Sequence, residues 1–416
     1  MSLERTFEEI RKNLKELKTC LEECKSDNER IQLFIAIGNS YLLISEAEES
    51  RNNIINALLS FDEAEKISSK LNNNEAQINV KKLKGFLFYK LAFLEDRNSN
   101  LKLSIQHYKN AIDLIGDSDR EKLISVNYNL ANSYLALRDG NEQNNILEAI
   151  FIFNNALEIA NISGRSDSLS LIYNAIARSY LILSQFYSGN DLHDIFEKAI
   201  LYFEESLKFS SLDEDPFDFA SSHNGLGIAH MRIGDIGLDP QKNYMDAITH
   251  FNLALKLYDV ESTPVDFASV NYSIGLCYFK LSQISSEEKN EFLLKAKDYL
   301  ETSTESFVEE TNPLELSNAE YNLSIVYKDL FVLSNNSSFL DKEIQNLNEA
   351  LKFFKEVDNP VNYATIQFLI GEALYRQGNI KGSLGYYSEA ERVAEKFNPN
   401  LARQITSVKK VIQSLQ

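Results

Sequence analysis

The 416-residue chain has no tryptophan, six prolines, fifteen glycines, three cysteines and five histidines. So few prolines and glycines over this length leave long stretches without helix breakers, which suits a mostly helical chain. Three cysteines, an odd count, offer no disulfide framework. No run approaches the roughly 18 uncharged apolar residues of a membrane span. The start, MSLERTFEEIRKN, is too charged for a secretory signal, so a cytoplasmic location is expected. Basic residues are also in short supply: 42 against 61 acidic ones give a net charge of −19. The imbalance is uneven, with 15 basic and 17 acidic residues in 1–100 but 8 and 16 in 201–300. Such a balance argues against nonspecific nucleic-acid binding and against attachment to anionic membranes. It permits a basic partner, although ordinary solubility accounts for it.

Motifs that carry chemistry are missing too. There is no G-x-x-x-x-G-K-[ST], no G-x-G-x-x-G and no H-E-x-x-H. Cys20 and Cys24 lie four apart near the start, but no further His or Cys lies close in sequence to complete a metal site, so two free thiols are expected. Cys277 follows an apolar run and reads as core. His223 and His230 are seven apart on one helical face, with His250 on the helix that follows, and packing accounts for them better than metal binding. Glu287-Glu288 and Glu309-Glu310 fall in polar turns. No catalytic residue, metal site or cofactor is expected.

What is present is repetition. A small residue, a ring or Leu, and a small residue recur at i, i+4 and i+7. The sets are Ala57/Phe61/Ala64, Ser104/Tyr108/Ala111, Ala149/Phe153/Ala156 and Ala199/Phe203/Ser206, then Ala247/Phe251/Ala254, Ala296/Leu300/Ser303, Glu343/Leu347/Ala350 and Ser383/Tyr387/Ala390. Small residues let two helix backbones approach, and the large one fills the gap to the neighbour. Alternating with these is a second pattern: an apolar residue, a small one, two free positions, then usually Tyr. It reads Ile37-Gly38…Tyr41, Leu130-Ala131…Tyr134, Ile176-Ala177…Tyr180, Leu226-Gly227…His230, Ile274-Gly275…Tyr278, Leu323-Ser324…Tyr327 and Ile370-Gly371…Leu374, with a degenerate copy at Leu83-Lys84…Leu87. A single core rarely grows past about 300 residues, so 416 residues of alternating helix pairs favour a stack.

These residues resemble the tetratricopeptide repeat, whose two helices carry L-G-x-x-Y and A-x-x-x-F-x-x-A. The resemblance covers nearly the whole chain and implies an all-α fold: a right-handed α-solenoid of about eight helix pairs with capping helices at both ends. The expected organisation is an N-terminal capping helix in 1–26, the repeat array in 27–397 and a C-terminal capping helix in 398–416. The first-to-second-helix distance is twelve residues from Gly371 to Ser383, the ordinary value, but twenty from Gly227 to Ala247. The period is therefore about 45–50 residues instead of about 34. Long repeats of this kind look like the arrays that precede caspase-like CHAT peptidase domains. The sequence ends at Gln416, so any such peptidase is expected on a separate polypeptide. The extra residues are expected as polar turns within pairs, around Asp139, Gly189, Gly237, Ser286 and Asn336.

All six prolines follow a residue able to cap a helix: Asp215, Asp239, Thr263, Asn312, Asn359 and Asn398. They are expected to open helices, with the preceding side chain accepting a free N–H and proline at the first helical position. Asp27, Asn73 and Ser166 take that place in earlier repeats.

In proteins of this resemblance, partners touch the first helix three residues before and one after the small position. Those places hold Tyr128, Asn132, Asn174, Arg178, Asn224, Tyr272, Tyr321 and Phe368. The family's clamp for a C-terminal carboxylate is matched in part by Lys81 alone, with Gly85 where its Asn belongs, so a chaperone-tail adaptor is not expected. The expected function is a non-enzymatic scaffold that binds a peptide or helical segment of a partner protein on the concave face, as monomer or homodimer. The alternatives are a peptide- or ligand-sensing regulator and the regulatory subunit of a separate caspase-like peptidase. Whether the aromatic residues form that wall or pack against the next first helix is left open by the pattern.

Overall fold

The computed structural model describes residues 3–46, 50–116, 119–164, 168–309 and 311–414. Among these the chain is all-α, without a strand. It folds as two compact units, Met1–Phe209 and Ser210–Gln416. In the first, α1 (Leu3–Glu23) precedes four pairs: α2 (Asp27–Ile44) with α3 (Ser50–Lys70), α4 (Asn74–Leu91) with α5 (Arg97–Ile115), α6 (Arg120–Ala136) with α7 (Glu142–Ser163), and α8 (Leu169–Leu183) with α9 (Gly189–Leu207). In the second, four more pairs precede α18 (Pro399–Ser414). They are α10 (Pro216–Asp235) with α11 (Pro240–Ala254), α12 (Pro264–Ile284) with α13 (Lys289–Ser306), α14 (Pro313–Ser334) with α15 (Ser337–Leu351), and α16 (Pro360–Arg376) with α17 (Ile380–Phe397). Within each unit every second helix also packs on the first helix of the next pair.

The contact that makes a pair is a ring on a missing side chain. Phe61, Tyr108, Phe153, Phe203, Phe251, Leu300, Leu347 and Tyr387 are all almost fully buried, flanked by their small neighbours. A Cβ built on Gly227 would stand 2.6 Å from the Phe251 ring, one on Gly371 2.8 Å from Tyr387, and one on Gly275 2.7 Å from Leu300. Gly38 faces Phe61 in the same way. In the second pair the partner of Tyr108 is Gly85, at 2.8 Å, and not Lys84. The register there is therefore Lys84-Gly85…Phe88, one residue later than the pattern suggested, which moves the wall position from Lys81 to Lys82.

Lys84 itself is buried and reaches the preceding second helix, where Asp62 and Glu65 accept from it at 2.7 Å each. Glu343, the poorest match among the small positions, has an equally specific place. Its side chain is 2% exposed and receives both guanidinium arms of Arg376, at 2.8 and 2.7 Å, from the first helix of the next pair. Burial raises its carboxyl out of the usual range, and Arg376 pulls it back.

The expected polar turns stand around Asp139, Gly237, Ser286 and Asn336, but they are short, so much of the added length of each repeat lies in longer helices. Only residues 236–239, 285–288 and 335–336 separate the helices of three pairs in the second unit. The apolar face simply continues, as in α7, whose 22 residues are apolar and long enough to cross a membrane. It nevertheless carries Glu142, Glu148 and Glu158 and buries Ala149, Phe153 and Ala156 against α6.

The prolines all open helices, but the capping mechanism differs from expectation. Asp215, Thr263, Asn312 and Asn359 have ψ between 47° and 69° and Asp239 is left-handed, and none accepts from the helix through its side chain. With proline's N–H already gone, one fewer donor needs a partner. Asn398 does cap, accepting from Leu401 N at 3.2 Å, as does Asn73 from Ala76 N. Ser26, and not Asp27, caps α2. Ser166 lies outside the described residues.

The terminal helices are half-repeats. Ile10, Leu14, Leu17 and Leu21 pack α1 onto Ile37, Tyr41 and Ile44. Large residues stand there where other second helices have small ones. On α18, Ala402, Ile405 and Ile412 are buried, and Lys409 is paired with Glu391 at 2.6 Å.

Two outcomes follow. Gly227→Ala should cost about 1–3 kcal/mol through overpacking, whereas Gly385→Ala, mid-helix with open space around it, should gain about 0.5–1 kcal/mol. Chemical denaturation of both variants checks this, and equal shifts would misplace the helix interface. Arg376→Met alone should cost about 3 kcal/mol by stranding a buried carboxylate, while adding Glu343→Ala should recover most of it. A double-mutant cycle that returns additive losses would rule out the pair as a coupled unit.

Candidate functional site: slots between successive first helices

Side chains three residues before the packing small position point along the seam between consecutive first helices. In three places that seam opens. Between α6 and α8 lies a slot of 240 Å³, bordered by Ser125, Tyr128, Asn129, Leu171 and Ile172. Between α14 and α16 lies one of 220 Å³, with Asn318, Tyr321, Asn322, Thr365 and Ile366 in the corresponding positions, Asn362 at the rim and Phe354 below. Between α2 and α4 a polar opening of 400 Å³ has Gln32, Ile35, Asn79 and Lys82 there, with Lys122 from α6 beside it.

The expected wall residues divide by environment. Tyr128 is half-buried with its edge on Phe153, centroids 5.5 Å apart, and Asn132 on the next turn donates to its carbonyl at 3.0 Å. Tyr321 is half-buried against Leu347, Phe354 and Ile366, and burial alone raises its phenol. Tyr272 occupies the same repeat position but is latched: its hydroxyl accepts from Asn322 Nδ2 on the next first helix at 2.8 Å. Asn174 and Phe368 are buried, at 4% and 5% exposure, so neither borders an open surface, and Phe368 packs on Tyr387 instead. Asn224 is half-buried on α10. Arg178 is exposed, and its charge, with that of Arg97, pulls down a Tyr89 phenol that burial raises. The structure thus brings Tyr128 and Asn132 together in one unit; in the other, Tyr272 meets Asn322, the residue after Tyr321.

Sequence reasoning missed Asn318, Asn322, Asn362, Thr365 and Ile366. Asn318 lies three before Tyr321 and four before Asn322, so helical spacing alone places it beside both. The α16 residues could not be found that way, since they meet Tyr321 only through packing. Asn322 gives its amide N–H groups to Tyr272 and to the Asn318 carbonyl at 2.8 Å, and Asn129 likewise donates to Ser125 at 2.9 Å. With the N–H groups so engaged, the side-chain oxygen is what each amide can offer as an acceptor.

The other titratable groups have structural explanations. Lys81 and Lys84 share Glu65 and Asp62, and Lys82 is pushed down by burial and then by Lys122. Burial pushes up the Cys277 thiol. Cys20 is exposed, and Cys24 donates to Glu29 at 3.5 Å. Among the described residues no three His, Cys, Asp or Glu side chains gather as metal ligands.

No described protein family and no curated protein matches the sequence. Among solved structures, a signal-transduction ATPase with numerous domains from Pyrococcus horikoshii, which has a tetratricopeptide repeat sensor, superposes with a TM-score of 0.54 at 16% identity. The fold is a tetratricopeptide-like helical repeat. The match covers 93% of this chain and 55% of the ATPase, so the chain spans about half that protein's length. The apo quorum sensor NprR from B. thuringiensis aligns over 93% of this chain and 99% of its own, at 16% identity and a TM-score of 0.44. A Rap protein complexed with Competence and Sporulation Factor aligns over 96% and 99%, at 14% and 0.40.

The latch gives a test of placement. Tyr272→Phe should lose about 1 kcal/mol of stability with its hydrogen bond, and Tyr321→Phe close to none. Melting curves in which the two variants shift alike would contradict the difference between a closed and an open seam.

Proposed function

We propose that the chain is a non-enzymatic protein-interaction scaffold that holds a peptide segment of a partner protein in the slots between successive first helices. The observation that carries this reading is the recurrence of one slot in both units, with a tyrosine three before the packing position and an amide beside it. Tyrosine supplies contact area at small entropic cost, and carboxamides pair with peptide backbone. The acidic balance makes a protein partner a better fit than nucleic acid. A second reading, a sensor whose units respond to a bound peptide, is supported by the similar fold of the ATPase's repeat sensor.

Selection of peptides from a displayed library on the immobilised chain supplies the probe. Asn318→Ala with Asn362→Ala should weaken the selected peptides by about 1–2 kcal/mol while the melting temperature holds, since both side chains border the slot and neither amide is hydrogen-bonded among the described residues. Unchanged affinity in a folded double variant would move binding away from the α14–α16 slot. Compaction of the chain on peptide addition, measured by small-angle scattering, would favour the sensor.

A further inference from the structure

Three of the chain's five histidines stand in one column between α10 and α11, the first pair of the second unit. Phe219 caps it, with its ring 4.4 Å from that of His223 and nearly perpendicular. His223 stacks on His250 at 5.2 Å, and His250 stacks on His230 at 5.5 Å with the planes 5° apart. His223 is 7% exposed and the other two are half-buried. The Nδ1 atoms of His223 and His250 are 3.0 Å apart, and His230 Nδ1 donates to Asn243 Oδ1 at 2.9 Å.

The His223–His250 contact has a chemical condition. A hydrogen bond between two imidazole nitrogens needs one N–H and one lone pair, so at least one ring must be neutral. When both are imidazolium, two N–H groups of like charge face each other in a site with little water. Nearby groups do little to compensate. Lys256, just past α11, adds positive charge toward His223, and Asp246 offsets it only at His250. At the far end around Tyr244, Asp235 is paired with Lys280 at 3.4 Å and with Arg232 at 3.5 Å.

We propose that this column is an acid-sensitive latch: it holds α10 on α11 while neutral and lets the pair open locally when it takes up protons. Burial first, then His250 and Lys256, hold His223 down to about 4, and burial and then His230 do the same for His250. Both lie below the ordinary 6.5, so the opened pair binds more protons than the closed one between those values. The closed pair is therefore fully favoured above about 6.5 and loses that preference as pH falls toward 4. Pair α16–α17, in the same unit, contains no histidine and serves as the internal reference.

Backbone hydrogen exchange on the full chain at pH 7.5 and 5.5, corrected for intrinsic rates, tests this. Each proton taken up on opening changes the equilibrium about tenfold per pH unit. Protection in α10–α11 should fall about tenfold or more relative to α16–α17, and the difference should vanish in His223→Phe with His250→Phe. Equal changes in the two pairs, or the same loss in the double variant, would overturn the latch. Should that variant fail to fold, proton NMR of the wild-type histidine rings decides: midpoints for His223 and His250 near 4 support the proposal, and midpoints at 6.5 sink it.

Discussion

Everything in this chain depends on how closely two helix backbones can approach. A pair forms where a first helix offers only a hydrogen or a methyl group and the second helix lays a ring or a leucine over it, as Gly227 and Phe251 do. The large residue then loses nearly all its contact with water, and its small flanking residues let the next first helix close the other side. Because one residue serves both approaches, repeats within a unit cannot be separated without exposing it. This is why stability in such a stack is shared between each repeat and its neighbour.

Some polar residues inside that scheme find a partner on another helix, whereas the buried hydroxyls of Ser303 and Ser383 have none among the described residues. Ser104 fills a small position because its hydroxyl donates to the Gly85 carbonyl at 2.7 Å and pairs with Ser133 at 2.9 Å. Glu343 fills another because Arg376 meets it with two bonds. Ser206 on α9 donates instead to the Ser170 carbonyl of α8, its own partner helix, at 2.9 Å. Each costs desolvation that a methyl group would not, but Ser104 through Ser133 and Glu343 through Arg376 also tie one repeat to a particular neighbour. Apolar faces that would pack with several partners thereby acquire an order.

The pairs were legible in the sequence because their packing is periodic and local: a small residue and a ring at fixed helical spacing carry the information themselves. Legibility ended where a partner comes from another element. Lys84 looked like a poor small residue, and only the approach of Tyr108 to Gly85 sets the register one residue later. Glu343 looked like a weak copy, since its guanidinium partner stands 33 residues away. The residues before proline looked like caps, but the backbone geometry that decides capping depends on how the chain arrives from the preceding helix. The places of the turns within pairs were legible too, but not how far the helices run into them, because polar Asn- and Ser-rich stretches on an exposed helical face have the composition of loops.

The candidate site shows the same limit more sharply. Tyr128, Tyr272, Tyr321 and Phe368 hold equivalent positions, and nothing within their own helices separates them. The neighbour does. Asn322 on the following helix donates to Tyr272 and closes that seam, whereas Thr365 and Ile366 leave the Tyr321 seam open. Phe368 instead turns onto Tyr387 and is buried. An aromatic residue at this position is therefore neither core nor surface by itself; the side chain one repeat later decides. A binding wall in such a stack is written in pairs of repeats, and changing an amide on one first helix alters what the tyrosine on the preceding one can offer to a partner.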